Sequence, residues 1–439
     1  MDDCSIAMKS DAVSRNYVIT AEKIQDCILE HLTSVPTEMI PIDQSLNRVP
    51  AEDIISETNL PGFSLSVMDG FAVRAADVSH ASAPDGVFLR VVETVKAGDI
   101  PKKSVEPGTA IRIMTGAPLP EGADAVVPFE DTGEVIHLHN LPPDHIAILK
   151  PVSKDENVRL KGSDIRSGST VLVKGKRIRP QDMGMLASIG KAEVLVHQIP
   201  RVGILQTGNE IVGVESPLGF GKIRNSNSYI ISGLVRKYGA EPVILGIAKD
   251  SREDLLDKLK LGVSLKVDLL LTCAGTSNGD YDLINHVFRL FCRDGYWESE
   301  VKPGKFITFG KAGGTLLLAL PGNPGAAMIN FEMFARNAVL KLAGLSRWKK
   351  PMFGAVLKHD IHDKKRRHLV PAVLTRSEGS FVVEAPGFVE NRGKGEKMSM
   401  LVRINSFVDV PFGVTFIPAG SEVHIWPLDE LDMHIPEAG

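Results

Sequence analysis

The residues best suited to chemistry lie in three polar segments between positions 270 and 326. The first, Cys273-Ala-Gly-Thr-Ser-Asn-Gly-Asp-Tyr-Asp282, sets Gly275, Thr276, Ser277 and Gly279 ahead of Asp280 and Asp282. Carboxylates two residues apart in a turn can share one hard divalent cation; the alternative is that one of them caps a helix starting near Tyr281. The second, Lys302-Pro-Gly-Lys305, has Pro-Gly where a type II turn requires them, which draws Lys302 and Lys305 together. Two ammonium groups about 4 Å apart repel by roughly 4 kcal/mol at an effective dielectric of about 20. An oxyanion between them is the simplest account, against two solvated lysines on a turn tip. The third, Pro321-Gly-Asn-Pro-Gly325, offers the backbone N–H groups of Gly322 and Asn323, next to Pro321, at a helix start, a natural seat for an anion. Carboxylates for a cation, with ammonium groups and amides for oxyanions, suit a phosphate ester accompanied by its metal.

The elements that must position these segments read as a βαβ series. Apolar runs at Val267–Thr272 and Thr315–Leu320 precede the first and third segments and suit buried strands of a parallel sheet. Upstream, Arg201–Thr207 and Pro242–Ile247 read as strands, Asn227–Tyr238 as a helix ended by Gly239, and Ser251–Leu261 as a helix opened by a Ser251/Asp254 capping box. Helices at 281–291 and 325–343 complete the series, with right-handed crossovers. In such a sheet the loops at the carboxyl ends of the strands line the ligand crevice. Asp250 ends one of these loops, where it could serve the site or cap the Ser251 helix. Glu210 follows Thr207-Gly-Asn at the end of another.

Around this unit the pattern changes. Residues 1–18 read as a flexible tail and 19–33 as a helix capped by Thr20. Residues 66–163 alternate in short apolar runs broken by Gly and Pro, the pattern of a small β-rich domain. Residues 166–200 return to mixed structure with Pro180 at a helix start, and from 350 onward the chain alternates again as a second β module. Lys364-Lys-Arg-Arg367, between His362 and His368, reads as a charged hairpin tip, and His137 and His139 as structural.

The totals exclude several classes. The chain has 439 residues, 43% of them hydrophobic, enough for several cores, while the net charge of −4 argues against nucleic-acid binding. No apolar stretch is long enough to span a membrane, and no secretory segment is recognised, so a cytoplasmic protein is expected. The four cysteines lie far apart without a CxxC pair, which argues against zinc and against a disulfide framework. No serine is paired with a histidine in a nucleophile motif, so covalent catalysis has no support.

In combination, these segments resemble the molybdopterin molybdenumtransferases, the MoeA and gephyrin E-domain family. Ser66-Val-Met-Asp-Gly-Phe-Ala-Val73 and the run Ile113–Val127 are similar to its two longest motifs. Lys161-Gly-Ser-Asp-Ile165, Thr207-Gly-Asn-Glu210, Gly279-Asp-Tyr-Asp282, Lys302-Pro-Gly-Lys305 and Leu320-Pro-Gly-Asn-Pro324 follow in the family's order. The resemblance implies a multidomain fold of α/β plus β type. Its parts are an elongated linking domain (19–65 and 164–200), a β-rich insertion (66–163), a MogA-like α/β molybdopterin-binding domain with a mostly parallel sheet (201–347) and a C-terminal β-barrel (350–432).

The same resemblance implies molybdenum cofactor biosynthesis, in which molybdenum from molybdate enters adenylylated molybdopterin with Mg²⁺-dependent release of AMP. It further implies a homodimer with a shared cleft and an upstream molybdopterin adenylyltransferase. Lys302 and Lys305 would hold molybdate; Asp250 and Asp282 would carry Mg²⁺, with Glu210 ordering that cation or a water and Asp280 assisting. Asp69 and Asp164 would enter the cleft from the partner subunit. The chain departs from the family pattern at Asn209, where a carboxylate is usual, at Ala326, where a serine is usual, and at Gly325. The alternative reading is a catalytically weakened, gephyrin-like scaffold that binds a partner peptide.

Overall fold

The protein is represented by a computed structural model, described for residues 20–133, 144–273, 283–292, 296–298, 301–302, 306–363, 366–377, 379–386 and 398–428. The first helix, α1 (Ala21–Glu30), begins where the Thr20 hydroxyl accepts from the Lys23 N–H, and it buries Ile24, Cys27 and Ile28. Those side chains join the core of the α/β unit, and Lys341 and Gln25 tie the two together through bonds to Leu29 O (2.7 Å) and Met333 O (2.6 Å). After α1 the chain runs through a set of two-stranded pairings that bring distant segments together. Thr37–Pro41 pairs with Glu193–His197, and Ile54–Ile55 with Thr170–Leu172, flanking the helix α2 (Pro180–Ser188).

Between those segments lies a five-stranded β unit. Its strands are β1 (Gly70–Val73), β2 (Val87–Val95), β3 (Thr109–Ile113), β4 (Ala125–Pro128) and β5 (His145–Ile148), in the order β4-β1-β3-β2-β5. A bridge from Thr132 to Ile148, with Gly133 N–H donating to Ala147 O at 2.8 Å, joins the two outer edges and closes the sheet. Gly70 is required there: a Cβ at that position would lie 2.0 Å from Val127 O on the neighbouring strand.

The α/β unit follows with β6 (Arg201–Thr207), α3 (Asn227–Lys237), β7 (Glu241–Ala248), α4 (Arg252–Ser264), β8 (Leu269–Cys273), α5 (Leu283–Phe291), β9 (Tyr296–Glu298), β10 (Val301–Lys302), β11 (Phe306–Ala312), β12 (Thr315–Leu320), α6 (Pro324–Asn330) and α7 (Arg336–Leu342). Six strands form one sheet in the order β7-β6-β8-β12-β11-β9. The first four are parallel and the last two antiparallel. Every residue of β8 and β12 is buried, as expected for strands covered on both faces. One hydrophobic core lies on each side.

Several expected details shift. The helix expected to end at Leu261 runs to Ser264, and the strand expected at 267–272 occupies 269–273. Only half of the Ser251/Asp254 capping box forms. Ser251 Oγ accepts from Asp254 N–H at 3.2 Å, but Ser251 N–H is taken by Lys249 O, so the Asp254 carboxylate accepts from Lys249 N–H instead. The helix expected over 325–343 is interrupted by a π turn, Phe331–Ala335, all five residues of which are buried.

The last unit contains β13 (Phe353–Leu357), β14 (Arg367–Ser377), β15 (Ser380–Glu384), β16 (Ser406–Val410) and β17 (Glu422–Pro427). The order β14-β15-β13-β17-β16, with β16 returning to β14, makes a closed β-barrel, where the sequence pattern indicates a β module and the family resemblance implies a barrel. Arg367 does not belong to a solvated hairpin tip: it is clamped by both oxygens of Asp409 (3.0 and 2.8 Å) and also contacts Glu22 of α1. Lys364 and Lys365 lie outside the described residues, as do His137 and His139. Cys273 and Cys292 are buried and in no disulfide, whereas Cys27, against expectation, is disulfide-bonded. No helix among the described residues is long and apolar enough to cross a membrane.

Candidate functional site at the carboxyl edge of the sheet

Strand register gathers the polar loops. Ala248 of β7 pairs with Thr207 of β6, Gln206 with Cys273 of β8, and Cys273 with Leu320 of β12. All four parallel strands therefore end on one edge. β11 runs the other way, with Thr308 opposite Ala319, so its first residues start at that same edge. The segments 208–210, 249–250 and 321–323 leave from this edge, and the chain after Cys273 and the chain before Phe306 adjoin it too.

At the first of these loops Asn209 and Asp250 grip each other twice. Asn209 N–H donates to Asp250 Oδ2 at 2.9 Å, and Asp250 N–H donates to Asn209 Oδ1 at 3.2 Å. Asp250 is thus not the helix cap; Ser251 takes that role and leaves the Asp250 carboxylate at the exposed rim. Glu210 is also exposed, and its backbone is fixed by a bond from Ile223 N–H to Glu210 O at 2.9 Å. Its carboxylate folds back over Gly208, whose φ of +134° favours glycine. Lys222 donates to Asn209 O at 2.7 Å, placing a cation beside the acidic loops.

At the third segment Asn323 caps α6, its Oδ1 accepting from Ala326 N–H at 3.0 Å, while Pro321 is buried and Gly322 and Asn323 are exposed. Sequence reasoning overlooked Asn227. Its Nδ2 donates to Gly322 O at 2.8 Å, and its Oδ1 is buried with no partner. The signal was the run Asn225-Ser-Asn-Ser228, four small polar residues at a helix start. Cys273, at the end of β8, is no nucleophile: burial pushes its thiol up to about 12.

The second segment behaves unexpectedly. Lys302 lies in β10, which pairs not with the α/β sheet but with β14 of the C-terminal barrel, Val301 opposite Arg367 and Lys302 opposite His368. Gly275, Thr276, Ser277, Asp280, Asp282 and Lys305 lie outside the described residues. Asp69 and Asp164 sit elsewhere, Asp69 just before β1 of the five-stranded unit and Asp164 beside Leu60. Asp69 Oδ1 accepts from Thr115 N–H (2.6 Å) and Thr115 Oγ1 (2.9 Å), which holds its carboxyl below the usual range. Asp164 is an exposed turn residue anchored through its N–H to Leu60 O at 3.0 Å. Among the described residues no hydrogen bond or ion pair joins either one to Glu210 or Asp250.

Two exposed carboxylates on neighbouring loops suit a hard cation. No group of three His, Cys, Asp or Glu side chains that could hold a metal occurs among the described residues. That donor set fits Mg²⁺, which keeps several waters and shares substrate phosphates, better than a metal needing a full protein cage.

Comparison with known proteins shows the family. Residues 19–190 match the MoeA N-terminal region (domain I and II), and residues 203–341 match a probable molybdopterin binding domain. A molybdopterin molybdenumtransferase of Staphylococcus aureus is 34% identical over 413 residues, covering 94% of this chain and 96% of that protein. One from Staphylococcus epidermidis is 32% identical with the same coverage, 94% and 96%. The crystal structure of a molybdopterin biosynthesis MoeA protein from Pyrococcus horikoshii superposes with a TM-score of 0.80 at 29% identity, covering 94% of this chain and 100% of that one. This chain belongs to the molybdopterin molybdenumtransferase family.

Proposed function

We propose that the chain acts in molybdenum cofactor biosynthesis, inserting molybdenum from molybdate into adenylylated molybdopterin with Mg²⁺-dependent release of AMP. The observation that carries this reading is the shared sheet edge, where Glu210, Asp250 and the Pro321-Gly322-Asn323 segment meet the ends of β8 and β11. Gly275, Thr276, Ser277, Asp280, Asp282, Lys302 and Lys305 fall between β8 and β11 in the sequence.

Lys302 and Lys305 neutralise the molybdate dianion. Gly322 and Asn323, at the start of α6, receive an oxyanion of the pterin substrate. Asp250, Asp282 and Glu210 would hold Mg²⁺, which when bound supplies charge neutralisation at the phosphoanhydride. Displacement at phosphorus needs positioning and neutralised charge rather than a protein nucleophile, consistent with the buried, protonated Cys273. Asp69 and Asp164 enter the cleft from a second copy of the chain in a homodimer. Val67 and Met68, 38% and 37% exposed beside Asp69, supply apolar surface for that contact. The adenylylated substrate comes from a separate molybdopterin adenylyltransferase.

The decisive experiment measures AMP released from adenylylated molybdopterin with molybdate and Mg²⁺ varied independently. Release requiring both, and lost in Asp282→Ala, is expected. Release indifferent to molybdate would refute the assignment.

A further inference from the structure

The buried amide of Asn227 joins the starts of two helices. Asn227 opens α3 and is 5% exposed, while Gly322 and Asn323, which lead into α6, are exposed. α6 runs on through the π turn into α7, a continuous helical path over 324–342, and α3 packs against it. Asn227 Nδ2 donates to Gly322 O at 2.8 Å, and its Oδ1 is buried with no partner. The two ends of the amide cannot be exchanged, because a swap would set Oδ1 against the Gly322 carbonyl, acceptor against acceptor. The start of α3 is itself anchored. Asn225 Oδ1 accepts from Ser228 N–H at 3.1 Å, Asn225 Nδ2 donates to Ser228 Oγ at 2.9 Å, and Asn225 N–H donates to Val212 O at 2.9 Å.

Gly322 C=O and Asn323 N–H belong to one trans peptide, so they point in opposite directions. Drawing the oxygen onto buried Asn227 turns the Asn323 N–H outward. Among the described residues that N–H makes no hydrogen bond, nor does the N–H of Gly322. We propose that Asn227 is a positioning residue for the oxyanion seat: its hold on Gly322 O keeps the 322–323 peptide turned with the Asn323 N–H toward the open sheet edge. This inference rests on the reading of that segment as a seat for a substrate oxyanion. Two unpaired N–H groups at the start of a long helix suit a tetrahedral oxyanion, which molybdate and the phosphate of a molybdopterin substrate both present. A buried acceptor left without a donor, as Asn227 Oδ1 is, costs stability. Serine or alanine at 227 would spare that cost but release Gly322 O, and the peptide with it. Asn227 touches no substrate in this scheme; it acts through the backbone it holds.

Asn227→Ser keeps a residue suited to a helix start but is too short to reach Gly322 O. Inorganic phosphate, titrated into the full chain labelled with nitrogen-15 at glycine and asparagine, should shift the Gly322 and Asn323 amide signals of the parent protein. In the variant its dissociation constant should rise about tenfold. The KM of one substrate should rise by a similar factor with kcat within about threefold, as when a contact common to ground and transition state is lost. A rise confined to the pterin substrate identifies the oxyanion as its phosphate; a rise confined to molybdate identifies it as molybdate. Ser228→Ala loosens the same helix start without touching Gly322, so its phosphate affinity should match the parent's. If Asn227→Ser fails to fold, Asn227→Ala, which also removes the orphaned oxygen, takes its place. Unmoved Asn323 signals in the parent protein, unchanged phosphate affinity in a folded Asn227 variant, or an equal loss in Ser228→Ala would each overturn the proposal. AMP release indifferent to molybdate would instead overturn the functional assignment, and the phosphate titration would still decide the role of Asn227.

Discussion

Asn209 and Asp250 form a closed two-bond ring between adjacent loops, each donating its backbone N–H to the other's side-chain oxygen. The arrangement explains how an amide can stand at position 209, where the resemblance to the family leads one to expect a carboxylate. Asn209 Oδ1 needs only to accept from Asp250 N–H, and an amide oxygen does so without adding a second charge beside the Asp250 carboxylate.

Asn209→Asp should therefore preserve the ring but place two anions side by side. Without divalent cation the melting temperature should fall, by about 1 kcal/mol of stability for a like-charged pair at the surface. Added Mg²⁺ should raise it more than in the parent protein. Thermal melts with and without Mg²⁺ check this, and an equal response in both proteins would remove these loops from the cation site.

Lys302→Ala should abolish or severely weaken the molybdate dependence of AMP release with little change in melting temperature, because alanine leaves the backbone pairing of β10 with β14 in place. Mixing Lys302→Ala subunits with Asp69→Ala subunits should recover part of the activity, since one of the two clefts in each mixed dimer would be intact. Absence of any recovery would argue that each chain works alone.

Glu332 and Lys350 form a fully desolvated ion pair at 2.8 Å, with side-chain exposures of 0% and 2%, and Tyr238 OH donates to both Glu332 oxygens at 2.8 and 2.9 Å. Burial pushes the Lys350 amine below its ordinary value, with the nearby Glu332 carboxylate opposing that shift. Glu332→Gln removes the compensating charge and should cost about 3–5 kcal/mol, while replacing both residues by apolar ones of similar volume should cost far less or stabilise. Denaturant titration of the three proteins distinguishes these outcomes. The pair lies where the π turn meets the chain leading to the barrel, so the single variant should also impair activity.

The Asp69 carboxyl is held low first by the Thr115 N–H and second by its hydroxyl. A depressed carboxyl adds stability that is present above the unfolded value of about 3.9 and disappears as pH falls through the lower folded value. Thr115→Val removes only the hydroxyl, so the Asp69 titration should move partway back toward ordinary, and acid unfolding should begin at slightly higher pH. Carbon-13 NMR of the carboxyl reads the first effect and a pH series of melts the second; an unmoved titration would assign the whole shift to the backbone.

Local pattern was enough to find most elements. β6 and β12 match their expected limits because alternation-free apolar runs bounded by polar loops admit one solution, and Thr20, Pro180 and Gly239 mark helix ends through chemistry internal to a few residues. The π turn at Phe331–Ala335 was not legible: its residues are ordinary helix formers, and the widened turn arises where the helix is buried all round. Likewise Arg367 and His368 read as part of a charged tip, because nothing nearby in sequence announces Asp409 or the burial of Asp363.

The candidate site divides in the same way. The sequence by itself determined which side chains are present and that Glu210, Asp250 and the 321–323 segment follow strands, since loop chemistry and strand periodicity are local properties. Only the tertiary structure decided the order of the strands along that edge, that Asn209 binds Asp250, that Asn227 holds Gly322, and that the Lys302 strand belongs to the barrel. Each of these depends on the register and order of strands far apart in the chain, which are set by the packing of whole sheets and not by any residue's own preferences.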